Sequence, residues 1–96
     1  MTPVKYTVKY SNRFKKSYKL AKKRGKDISK LESIVALLAN GNTLPEKNKD
    51  HALVGDYEGF RECHIEPDWL LVYRYINDVL VLHLFDTGSH SDLFKK

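Results

Sequence analysis

The sequence predicts an α+β fold in which an antiparallel β-sheet packs against an N-terminal helical hairpin. Apolar residues recur at helical spacing through the first forty positions, then switch to alternating and continuous apolar runs from residue 59 onward. Glycines and Pro/Asn/Asp pairs fall between these segments, where chain reversals belong. Ninety-six residues, 42% of them hydrophobic, leave room for one core, so residues 1–96 are expected to form a single domain with one sheet and one helical layer.

The elements follow in order. VKYTVKY over residues 4–10 mixes β-branched and aromatic residues with lysine, the pattern of a short edge strand protected from unwanted pairing. Ser11 suits a helix N-cap, and Phe14, Tyr18 and Ala21 follow at i, i+4 and i+7 as an apolar stripe. Gly25 suits the end of this helix and Asp27 the start of a second, whose buried face reads Ile28, Leu31, Ile34, Val35 and Leu38. Gly41 stops it, and NTLPEKNKD reads as a surface loop. GFRECHIE, WLLVYRYI and VLVLHLF then read as three antiparallel strands, with Pro67-Asp68 and Asn77-Asp78 at the reversals. Alternation in the first of these sends Cys63 and Ile65 to one face and Glu62, His64 and Glu66 to the other. In the last, Leu80, Leu82 and Leu84 share a face, leaving His83 as a structural residue on the less apolar side. The helical hairpin is expected to cover the Cys63 and Leu82 face.

Charge is unevenly distributed. Residues 1–50 hold 13 Lys or Arg against 4 Asp or Glu, and residues 51–96 hold 4 against 8, within a net charge of +5. Such asymmetry suits a polyanionic surface or an acidic protein partner for the first half, although a lysine-rich face is also what simple solvation produces. The lone Cys63 cannot form an internal disulfide, the N-terminus lacks the apolar stretch of a signal peptide, and no run is long enough to cross a bilayer, so a cytoplasmic setting with no membrane partner is expected.

Three stretches carry a resemblance: KDHALVGDYEGFRECHIEPDWLLVYR, the closing TGSHSDLF, and the basic helical hairpin ahead of them. Together they resemble the YafQ branch of the RelE/ParE-like toxins of toxin-antitoxin systems. The resemblance implies the RelE-like fold and an endoribonuclease that cleaves messenger RNA in the ribosomal decoding site, without metal or cofactor. It implies as partners the ribosome, the message and a cognate antitoxin, with operator DNA reached only through the antitoxin complex. By position it places His51, His64, Asp68 and His90 in the catalytic set, Phe94 as the terminal aromatic that contacts RNA, and Arg61 and Trp69 near the substrate. Where such toxins often carry arginine immediately before the TG of the last motif, this chain has Asp86.

The residue types fit that chemistry. Metal-free RNA cleavage needs the 2′-hydroxyl deprotonated, the leaving 5′-oxygen protonated and the phosphate charge stabilised. Imidazoles titrate near neutrality and serve as acid or base, with a carboxylate to orient them. Which histidine is acid and which is base stays open. Asp86 leaves the phosphate short of a cation, which Arg61 is expected to supply, with Arg74 or a helix lysine as alternatives. Lys15, Lys16, Lys19, Lys22 and Lys23 are expected to meet ribosomal RNA. Plain structural roles compete: His51 as a loop residue beside Asp50, His64 as a satisfied strand histidine, His90 as part of a terminal turn, and Trp69 as a core anchor. A zinc site is disfavoured because Cys63 alternates away from His64 and no paired-ligand spacing occurs. Two other functions compete with cleavage: a non-catalytic binder of antitoxin and operator DNA, and a ParE-like inhibitor of gyrase. A set of groups titrating near neutrality favours the nuclease.

Overall fold

The structure, a computed structural model, describes residues 5–87, the side chains of 84–87 excepted. Strand β1 (Thr7–Tyr10) leads into helices α1 (Asn12–Lys23) and α2 (Ile28–Ala39), and strands β2 (His51–Ala52), β3 (Arg61–Glu66), β4 (Trp69–Ile76) and β5 (Val79–Thr87) follow. Two one-turn 3-10 helices, Glu46–Asn48 and Gly55–Tyr57, flank β2.

Local chemistry sets the helix limits. The Ser11 hydroxyl accepts from the Phe14 N–H at 3.0 Å, satisfying one of the donors a helix start leaves unpaired, and it donates to the His83 carbonyl, which ties α1 to β5. At the far end Gly25 adopts φ +79°, a left-handed conformation that ends α1 at little cost. Asp27 caps α2 by accepting from the Ser29 N–H at 3.2 Å. Phe14, Ala21, Leu31, Ile34 and Leu38 are buried, so both helices present the stripes their sequences carry.

The sheet order is β1-β5-β4-β3-β2. The three long strands pair antiparallel as expected. The sheet as a whole is mixed and mostly antiparallel, because the edge strand β1, whose pairing the sequence left open, runs parallel to β5, with Thr7 opposite Val79 and Tyr10 opposite Leu82. The helical connection through α1 and α2 permits this, since a parallel neighbour requires a long crossover. A second difference is β2, which the sequence reading did not include, His51 having only a loop role as the alternative to its place in the site. His51 and Ala52 pair with Glu62 and Arg61, which adds a two-residue edge strand beyond β3.

Both helices cover one face of the sheet, where Cys63, Ile65, Trp69, Leu71, Tyr73, Leu80 and Leu82 meet Phe14, Leu31, Ile34 and Leu38. The opposite face has a smaller cluster of Leu70 and Val72 packed with Leu53 and Phe60. Two pairing irregularities break the alternation. One falls between His64 and Glu66, and Glu66 turns to meet Lys30 of α2 at 2.8 Å, so it does not share the face of Glu62 and His64 as alternation alone suggested. The other makes His83 an extra residue in β5, because Tyr73 pairs with Leu82 while Val72 pairs with Leu84. The backbone of Leu84 therefore falls out of step with Leu80 and Leu82.

Candidate active site

The open face of the sheet is built in rows. His51, Glu62 and Val72 are cross-strand partners in one row, and His64 and Leu70 are partners in the next. Directly opposed residues share a face. His51 and His64, far apart in sequence, are thus brought to the same side of the sheet, away from the helices. The backbone of Asp86 extends the His64 row, opposite Leu70.

His51 is gripped at both ring nitrogens. Its Nδ1 lies 2.7 Å from the Lys49 carbonyl, and its Nε2 lies 3.3 Å from Oε1 of Glu62. A carbonyl can only accept, so Nδ1 carries a hydrogen. For the second contact to be attractive, a proton must sit on Nε2 or on the carboxyl group. The imidazole is 45% exposed while the Glu62 side chain is 0% exposed, which gives a solvent-facing ring backed by a dry acid. Lys49 holds φ +49°, a left-handed conformation uncommon outside glycine, at the point where its carbonyl meets His51.

His64 is fixed from two directions. Its Nδ1 lies 3.3 Å from the Pro67 carbonyl, which places the hydrogen on Nδ1 and the lone pair of the neutral ring on Nε2. Its own carbonyl accepts from Nδ2 of the buried Asn48 at 2.6 Å. Asp68 is exposed in the turn between β3 and β4, next to Pro67. His90 and Phe94 lie outside the described residues.

Two residues expected near the substrate lie away from the open face. Trp69 is completely buried in the helix-side core, with Lys26 Nζ 5.6 Å from its ring centre, the surroundings of the core anchor that was its competing role. Arg61 pairs with Tyr73, which belongs to the helix-side core, so it lies on the face opposite His51, Glu62 and His64. Its Nε contacts Asp50 Oδ1 at 3.3 Å, and the Tyr73 hydroxyl donates to the same oxygen at 2.6 Å. This cluster anchors the chain just before β2. Arg74 instead belongs to the open face, two residues beyond Val72, with its guanidinium 4.9 Å from the Phe60 ring centre.

His83 also meets Phe60, at 4.9 Å between ring centres. Burial depresses its pKa below the ordinary histidine value, and Arg13 and Arg74 push the same way. Burial likewise holds the Cys63 thiol far above its usual range, so it is no nucleophile at neutral pH. Among the described residues, no three His, Cys, Asp or Glu gather as metal ligands do. Lys15, Lys16, Lys19, Lys22 and Lys23 are all exposed on α1. No helix among the described residues is long and apolar enough to cross a membrane.

The residue sequence reasoning missed is Glu62. Alternation put it on the right face, and an acid set between core-forming neighbours was the available signal, but its partner depended on a two-residue strand that no sequence period reveals.

Residues 6–95 match the family described as bacterial toxin of type II toxin-antitoxin system, YafQ. The chain is 42% identical over 88 residues to the mRNA interferase toxin YafQ of Escherichia coli strain K12, an alignment that spans 91% of this chain and 94% of that protein. Its fold matches YafQ in the crystal structure of the E. coli DinJ-YafQ toxin-antitoxin complex with a TM-score of 0.83 and 39% identity, over 95% of this chain and 99% of that one. A metal-bound toxin from Helicobacter pylori matches with a TM-score of 0.84 and 42% identity, over 93% and 99% of the two chains.

Proposed function

The chain belongs to the YafQ toxins of type II toxin-antitoxin systems, and from that premise we propose that it is a ribosome-dependent endoribonuclease that cuts messenger RNA in the decoding site. In this reading a cognate antitoxin neutralises it, as the DinJ complex of the E. coli relative suggests, and reaches operator DNA on its behalf. The observation that carries the nuclease reading is the open face, where His51 backed by buried Glu62 stands one row from His64.

The chemistry follows from the ring contacts. His64, with its hydrogen on Nδ1, offers Nε2 to take the proton of the 2′-hydroxyl. The freed oxygen attacks the adjacent phosphorus as the bond from phosphorus to the 5′-oxygen breaks, leaving a 2′,3′-cyclic phosphate. The His51 and Glu62 pair holds a proton beside an exposed ring and delivers it to the departing 5′-oxygen. His90 and Asp68 complete the set, as proton carrier and orienting carboxylate, and Phe94 contacts the RNA. No metal or cofactor enters this scheme. Each proton-transfer step is worth about 10² to 10⁴ in rate.

The test is to map message ends after incubation with programmed ribosomes at fixed Mg²⁺, with and without a chelator selective for transition metals. Cleavage that survives this chelation and is reduced at least tenfold by either His51→Gln or His64→Gln supports the scheme. Absence of cleavage by a folded wild-type protein, or full loss with the chelator that an added transition metal restores, overturns it. A gyrase supercoiling assay checks the ParE-like alternative on the same preparation.

A further inference from the structure

We propose that Arg74, Phe60 and His83 form an RNA-binding subsite beside the histidines, in which Arg74 meets a backbone phosphate and the two rings meet an adjoining base. The inference rests on the nuclease reading for its place in catalysis, but the subsite itself stands on separate geometry.

The first observation is position. Arg74 follows Val72 by two residues on β4, and Val72 is the partner of Glu62. Two residues along a strand span roughly 6.6 Å, so the arginine lies one row from the His51 and Glu62 pair, on the side away from His64. The open face thus runs from His64, through the acid-backed imidazole, to a guanidinium.

Charge is the second. Arg61 is engaged by Asp50 on the other face of the sheet. Arg74 has no carboxylate within ion-pair distance among the described residues, and its Nε is buried without a hydrogen-bond acceptor. Its guanidinium carbon sits 4.9 Å over the Phe60 ring centre, a cation–π contact that by itself uses none of the N–H donors with which the fork binds an oxyanion. A phosphodiester is the anion such a fork matches.

Ring geometry is the third. The irregular pairing that inserts His83 into β5 brings its imidazole 4.9 Å from the same Phe60 ring, and Arg74, Phe60 and His83 are all partly exposed. A cation over one of two adjoining planar rings on an open sheet face is the composition that binds single-stranded nucleic acid, the cation tracking the backbone and the rings the bases. Glu62 is buried, and the backbone of Asp86 lies in the His64 row. The positive charge is therefore concentrated at the Arg74 end, which fixes where a phosphate next to the scissile one is held.

The experiment uses the full chain and two probes. A fluorescent single-stranded oligoribonucleotide with a 2′-deoxy nucleotide at the cleavage position reports binding against salt, and programmed ribosomes report cleavage. Arg74→Met is expected to weaken oligonucleotide binding at least tenfold, to lower the salt slope by about one, and to cut ribosomal cleavage at least tenfold at an unchanged melting temperature. Should Arg74→Met not fold, Arg74→Gln is read by the same criteria. If the wild type cuts the message and the folded variant matches it in affinity, salt slope and rate, the subsite is wrong. If the wild type does not cut but the variant still loses affinity and slope, the nuclease reading falls and the subsite stands.

Discussion

The Nε2 atom of exposed His51 sits 3.3 Å from a carboxylate oxygen of Glu62, the one acidic side chain sealed within the sheet among the described residues. Burying an acid is costly unless something holds its charge or its proton, and in the proposed scheme the contact serves proton transfer more than stability. Glu62→Gln keeps the shape and an acceptor but ends proton exchange with the ring. Cleavage on programmed ribosomes is expected to fall by about 10² to 10³ while the melting temperature moves little. A variant that cleaves as fast as the wild type in single-turnover measurements would remove Glu62 from the proton path.

That pair also marks the boundary of what the sequence made legible. The helix stripes, both caps and the three long strands follow from periodicity and turn residues, because each is decided within a dozen neighbours. Face assignment in β3 followed too, up to Ile65. The parallel docking of β1, the two-residue β2 and the slips near Glu66 and His83 are set by distant partners, and no local period encodes them. His51 changes from a loop residue to a member of the open face only through its pairing with Glu62. Arg61 and Arg74 look equivalent in sequence, and only strand register sends them to opposite faces.

His83 supplies a pH signature. Its pKa in the folded chain is lowered by burial and by Arg13 and Arg74, whereas in the unfolded chain it returns to about 6.5. Below that value the unfolded state binds the proton more readily, so folding stability is expected to decline as pH drops from 6.5 toward the folded-state pKa. His83→Gln should flatten this part of the curve. Thermal midpoints between pH 7.5 and 5 for both proteins provide the check, and parallel curves would show that His83 is not responsible.

Trp69 is expected to act through stability. The side chain fills the centre of the helix-side core, so Trp69→Ala leaves a cavity costing about 3 to 5 kcal/mol, a large share of the margin of a 96-residue protein. Trp69→Phe retains most of the buried surface and should restore both folding and cleavage. Urea unfolding monitored by circular dichroism, alongside cleavage per folded molecule, separates the roles. If Trp69→Phe unfolds like the wild type but cleaves tenfold more slowly, the ring has a part in substrate handling despite its burial.

The α1 lysines bear on the proposed docking to the ribosome. Lys15, Lys16, Lys19, Lys22 and Lys23 are exposed on a helix whose apolar side is used by the core, so replacing them alters little packing, on the order of ±0.5 kcal/mol each. If they meet ribosomal RNA, each phosphate contact contributes roughly 0.7 to 0.9 to the slope of log affinity against log salt. A variant with all five changed to Gln should bind ribosomes far more weakly at low salt and lose about four from that slope. Binding to the short oligoribonucleotide should be nearly unaffected, because that probe reads the open face. Equal losses on both probes would mean that the lysines act as a general field around the protein, and an unchanged slope on ribosomes would reduce them to a solvated surface.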